Sequence, residues 1–171
     1  MEVISIISEH EYAWYISQGL GVVAAVSSFL AFRCKQDKHM LLLLAGSNVA
    51  WGMHFLFLAE YTGCFLNFVT AVRNFSGLFL NNIIVVVLFI TLYLTVFFIS
   101  FASLWDLLPI IAVVISSLAV FYFRGLSLRV TLLIGSLLWL VFNINARSIV
   151  GVVVMAADSA SNVSRIKKGF N

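Results

Sequence analysis

Apolar runs, each about as long as a bilayer-crossing helix, alternate along the chain with short polar breaks. They extend from about Tyr12 to Phe32, Met40 to Ala59, Thr62 to Leu80, Ile83 to Ser103, Leu107 to Phe123, Leu128 to Asn143 and Ile149 to Ile166. The breaks are Arg33 to His39, Glu60-Tyr61, Asn81-Asn82, Trp105-Asp106, Arg124-Gly125 and Asn145 to Arg147. Barrel strands alternate lipid-facing and lumen-facing residues. The stretch Ile83-Ile84-Val85-Val86-Val87-Leu88-Phe89-Ile90 is apolar at every position, which speaks for helix. The pattern predicts an all-α integral membrane protein with seven transmembrane helices.

Composition agrees. The chain has 171 residues, of which 63% are hydrophobic and 10% charged. So few charges could not clothe a soluble fold of this size, so lipid is the expected surroundings. Seven spans use about 140 residues and leave about 31 for loops and tails, which excludes an added soluble domain. The net charge of +3 does not point to nucleic acid, because the basic residues sit at helix ends. Cys34 and Cys64 fall near opposite membrane faces and cannot pair. The first residues carry Glu2, Glu9 and Glu11 and no Lys or Arg, unlike the basic start of a signal peptide. There is no Gly-rich phosphate loop, no Gly-x-Ser-x-Gly elbow and no His-Glu-x-x-His, so an enzyme is not expected. His10, His39 and His54 lie at different depths, so neither metal nor any other cofactor is expected.

Basic residues orient the chain. With seven spans and the N-terminus outside, Arg33, Lys35, Lys38, Arg124, Arg129, Arg165, Lys167 and Lys168 face the cytoplasm, and only Arg147 lies at the outer face. Glu2, Glu9, Glu11, Glu60 and Asp106 fall outside. A six-helix reading, with the sixth or seventh run only partly inserted, scrambles this bias.

The two halves resemble each other. Ser27-Ser28-Phe29-Leu30-Ala31-Phe32 aligns with Ser116 to Phe121, and Gly46-Ser47 with Gly135-Ser136, at an offset of 89. One residue is then lost, and Trp51, Gly63 and Asn74 align with Trp139, Gly151 and Asn162 at 88. The expected organisation is a first three-helix unit at 12–80, a linker helix at 83–103 and a second unit at 107–168. An odd linker makes the two three-helix bundles parallel, a known transporter plan.

This 3+1+3 plan resembles the SWEET/SemiSWEET and PQ-loop (MtN3-like) superfamily. A closer resemblance covers almost the whole chain. Gln18-Gly19-Leu20-Gly21, His54-Phe55, Asn67, Arg73, Asp106-Leu107-Leu108-Pro109, Arg124-Gly125-Leu126-Ser127, Trp139, Ser148-Ile149-Val150-Gly151, Asn162 and Arg165 are similar to the bacterial inner-membrane protein family YgjV. That resemblance implies the bacterial inner membrane. The superfamily implies facilitated movement of sugars or other small polar solutes, with asparagines on the third helix of each unit at the site. This chain has no Pro-Gln dipeptide, and its sole proline is Pro109.

Polar groups within lipid are expensive and invite a reason. Asn67, Thr70, Arg73 and Asn74 step by three, three and one, so they share one helix face. Arg73 lies roughly 16 Å beyond Thr62, near mid-depth. Asp158 falls at a similar depth in the last run, and the two are expected to approach across the interface between the units. Asn74 and Asn162 are symmetry mates that offer donors and acceptors to a neutral solute. Trp51 with His54, and Trp139 with Asn143, form stripes suited to walling a sugar ring. Each of these residues also has a plain packing or hydrogen-bonding reading. The expected function is a small polar, sugar-like solute transporter or facilitator. Its site lies between the units, lined by Asn67, Arg73, Asn74, Asp158 and Asn162 and walled by Trp51, His54, Trp139 and Asn143. The alternative is a non-transporting partner subunit or sensor that keeps the architecture. The expected partners are the lipid bilayer and that solute. Substrate, coupling ion and oligomeric state are not readable from the sequence.

Overall fold

The computed structural model describes residues 2–31, 34, 36–80, 82–123 and 125–168, with the side chains of 2–10, 37, 120–122, 125, 128, 161, 165 and 168 outside the description. Arg33, Lys35, Asn81 and Arg124, and the side chains of Glu2, Glu9, His10, Arg165 and Lys168, all used in the sequence reading, thus lie outside the described residues. Seven α-helices occur among the described residues: α1 (Glu2–Ala31), α2 (Asp37–Phe57), α3 (Tyr61–Ser76), α4 (Ile83–Ser100), α5 (Leu107–Tyr122), α6 (Gly125–Asn145) and α7 (Ile149–Lys168). A 3-10 turn, Leu104–Asp106, precedes α5. The polar breaks set most ends within a few residues. Two differ. α1 begins ten residues before Tyr12, because Val3, Ile4, Ile6 and Ile7 continue an unbroken helical stretch with no Gly or Pro. α3 ends at Ser76, not Leu80, where the chain turns through Gly77 N–H to Arg73 O (2.9 Å) and Leu80 N–H to Ser76 O (2.9 Å).

By length and composition, Glu11–Ala31, Lys38–Phe57 and Ile83–Ser100 can cross a membrane. Leu104–Ala119, Arg129–Asn145 and Ile149–Ser164 are shorter apolar stretches. α3 spans 16 residues, or about 24 Å, against a hydrocarbon core of about 30 Å. It carries the polar face residues Asn67, Thr70, Arg73 and Asn74, which lower its hydropathy.

The chain divides into two compact units, Met1–Asn81 and Asn82–Asn171, so α4 groups with the second. In the first, α2 packs on both α1 and α3; in the second, α6 packs on both α5 and α7, and α4 packs on α5. Between helices in lipid there is little hydrophobic driving force, so small residues that permit close approach matter most. Ala24 and Ala31 of α1 and Ala112 and Ala119 of α5 are fully buried. Val22, Val23, Val26, Phe29 and Leu30 of α1 are exposed, as lipid-facing side chains would be. On α4, Val86, Phe89 and Tyr93 form a buried stripe at helical spacing.

Each unit repeats one turn in detail. Ala59 and Arg147 are the non-glycine residues with positive φ among those described (59° and 54°), and they stand 88 positions apart. After α2, Glu60 N–H donates to Phe55 O (2.9 Å) and Ala59 N–H to Leu56 O (3.0 Å). After α6, Ser148 N–H donates to Asn143 O (3.0 Å) and Arg147 N–H to Ile144 O (3.2 Å). Both are Schellman endings with the left-handed residue one past the cap.

The same offset relates α1 and α2 to α5 and α6, which corrects the expected 89. Ser28 Oγ lies 2.6 Å from Ser47 Oγ, and Ser47 Oγ donates to Ala24 O at 2.8 Å. At 88 residues on, Ser116 Oγ crowds the space a side chain at Gly135 would need, with Ala112 O beside it. A glycine with a serine pressed onto it stands in for a bonded serine pair. The register of 89 matched serine to serine by letter; the buried positions match at 88.

Candidate functional site

On α3 the polar residues share a face, as their spacing predicts, and the structure gives their partners. Asn67 is 7% exposed and donates Nδ2–H to Gly63 O at 2.8 Å, one turn back. Thr70 Oγ1 donates to Leu66 O at 2.7 Å in the same way. Arg73 is half-buried and donates from Nη2 to Asn74 Oδ1 at 3.2 Å. Asn74 itself is 8% exposed. Because a guanidinium only donates, the amide of Asn74 must present its oxygen to Arg73 and keep its NH2 for another partner. Asn67 is fixed the opposite way round, with its nitrogen spent on the backbone and its oxygen left to accept.

The stripe on α2 is close-packed. His54 is fully buried, with Nδ1 2.6 Å from Ser17 O of α1. Trp51 meets it edge-on at 5.2 Å and stacks on Phe55 at 6.1 Å. His54 therefore ties α2 to α1. Ser17, also fully buried, donates Oγ–H to Trp14 O (2.7 Å) and takes a bond from Gln18 Nε2 (3.1 Å). The sequence reading missed this α1 cluster. Serine hydroxyls in an apolar run are its one signal, and they are common.

In the second unit Trp139 packs edge-on against Phe142 at 5.7 Å. Asn143, 2% exposed, donates Nδ2–H to Trp139 O at 2.8 Å. Its Oδ1 has no hydrogen-bond partner and is pressed onto the backbone of Gly151, where any side chain would collide with it. Gly151 N–H is bonded to Ser148 Oγ at 3.0 Å, the N-cap of α7. Asn143 thus serves as a close α6–α7 packing contact. On α7, Asp158 is exposed and Asn162 half-buried. Ser159 beside them is buried, with its Oγ unbonded. Within the first unit the structure brings together Arg73 with Asn74 and Trp51 with His54; within the second it brings together Trp139 and Asn143. No group of three or more His, Cys, Asp or Glu suited to a metal occurs among the described residues.

A helical fold with bilayer-length apolar segments, polar residues gathered on one helix of each unit and hydroxyl-bonded helix contacts defines an α-helical integral membrane protein. The chain belongs to the bacterial inner membrane protein family Imp-YgjV, whose profile matches residues 15–169. It is similar to the inner membrane protein YgjV of Escherichia coli (strain K12), with 26% identity over 142 residues, covering 83% of this chain and 78% of that protein. No solved structure matches it.

Proposed function

We propose that this inner-membrane protein moves a small polar solute across the bilayer, as a transporter or facilitator. The observation that carries this reading is the polar face of α3, where Asn67, Thr70, Arg73 and Asn74 line up over about two turns of one helix. A charged or amide side chain facing hydrocarbon is costly. Such a face is maintained where protein groups, water or a polar ligand cover it. Helix α7 supports the reading independently: Asp158 is exposed and Asn162 half-exposed there, at the positions equivalent to Thr70 and Asn74. Both units keep tryptophan at the same place, Trp51 on α2 and Trp139 on α6, the helices that pack on α3 and α7. The proposed topology is seven crossings with the N-terminus outside.

The test is uptake into proteoliposomes. Purified protein is reconstituted, and a panel of labelled sugars, polyols and small organic acids is offered. At least one solute enters faster than into empty vesicles, and Asn74→Ala and Asn162→Ala each slow it. If no member of the panel moves faster than in empty vesicles, the transport reading falls and a partner subunit or sensor takes its place.

A further inference from the structure

The two ends of the α3 face offer opposite hydrogen-bonding chemistry. Towards the α3 N-terminus, Asn67 has committed its NH2 to Gly63 O (2.8 Å), so it presents a carbonyl oxygen. Thr70, one turn on, has committed its proton to Leu66 O (2.7 Å). At the other end, Arg73 holds Asn74 Oδ1 (3.2 Å), which leaves the Asn74 NH2 to donate beside the guanidinium. These amide orientations follow from what each partner can donate. Asn67 and Asn74 stand seven residues apart, about 10 Å along the axis. The face therefore reads as an acceptor site at one end and a purely donating, cationic site at the other.

We infer that the solute is a hydroxylated organic anion, of the sugar-acid class, and not a neutral sugar. Its carboxylate is held by the Arg73 guanidinium and the Asn74 amide, a charge-assisted pairing for which arginine is especially suited. Its hydroxyls donate to Asn67 Oδ1. A neutral sugar satisfies the acceptor end but makes no charge-assisted bond to the guanidinium. A simple short-chain acid satisfies the donor end and leaves Asn67 unused. This deepens the transport reading and rests on it.

The experiment compares matched solutes on the wild-type protein. Proteoliposomes are offered labelled glucuronate, glucose and propionate, and each is tested as an unlabelled competitor of the others. Glucuronate enters fastest and is poorly displaced by glucose or propionate. Arg73→Gln cuts glucuronate uptake about ten- to a hundredfold, the size expected for losing a charge-assisted bond. Arg73→Lys keeps the charge and retains part of the rate. Asn67→Leu narrows the advantage of glucuronate over propionate. Glucose entering as fast as glucuronate, or Arg73→Gln slowing both by the same factor, overturns the inference while transport stands, and makes Arg73 a structural residue. Propionate matching glucuronate overturns the role of Asn67. If none of the three, and nothing in the wider panel, enters faster than into empty vesicles, both readings fall together. The wild-type competition needs no variant, so a misfolded mutant does not blunt the test.

Discussion

Gly151 shows how little space one residue can be given. The Asn143 carboxamide occupies the place of its side chain, and Ser148 Oγ takes its N–H. Gly151→Ala therefore forces Asn143 out of its rotamer and strains the α6–α7 contact, at a cost of about 1–3 kcal/mol. Thermal unfolding of the detergent-solubilised protein measures this as a lower midpoint. Adding Asn143→Ala makes room and recovers most of the loss, so the two changes are strongly non-additive. An additive pair means that Asn143 does not fill that space. The sequence made Asn143 and Gly151 visible as separate features, one in an aromatic stripe and one in a repeat. That they touch is a tertiary fact with no local signature. The same holds for His54, whose bond to the Ser17 carbonyl lies 37 residues away in the chain.

At the scale of the helix, both Schellman endings place a side chain where glycine is the residue without strain. Ala59→Gly and Arg147→Gly each relieve the left-handed position, and each is expected to stabilise by up to about 1 kcal/mol. Ala59→Val moves the other way, because a β-branched side chain is least tolerated there. The same thermal unfolding measurement checks all three; a fall on Ala59→Gly contradicts the turn described. Most helix ends were legible because charged and amide breaks separate the apolar runs. The extension of α1 back to Glu2 was not, since a short apolar stretch among glutamates carries no boundary signal. The common face of α3 was legible from residue spacing alone. Its hydrogen bonds run mostly to the helix's own backbone, and spacing says nothing of which end of each amide points where. The repeat register in α1 and α5 was misread by one residue, because serine doublets matched by identity and the buried alanines that fix the register did not stand out in an apolar sequence.

For the whole molecule, the basic residues predict a cytoplasmic C-terminus. A fluorescent protein fused after Asn171, of the kind that matures only in the cytoplasm, is expected to glow, whereas a periplasm-dependent phosphatase there is expected to stay inactive. The reverse pattern means an even number of crossings or an inverted start. This tests the three helices that are plainly long enough together with the four whose length or polarity makes crossing less obvious.

The twin turns at Ala59 and Arg147 carry a last consequence. Had the protein been assembled from two identical chains, any substitution would occur twice, and an arginine suited to one copy would be imposed on the other. A single chain that carries both turns is free of that constraint. Here the backbone bonds of the turn are kept in both halves while one holds a methyl group and the other a cation. Likewise a bonded serine in one half is a bare glycine in its twin. The turn is kept twice while the side chains it carries are one-sided.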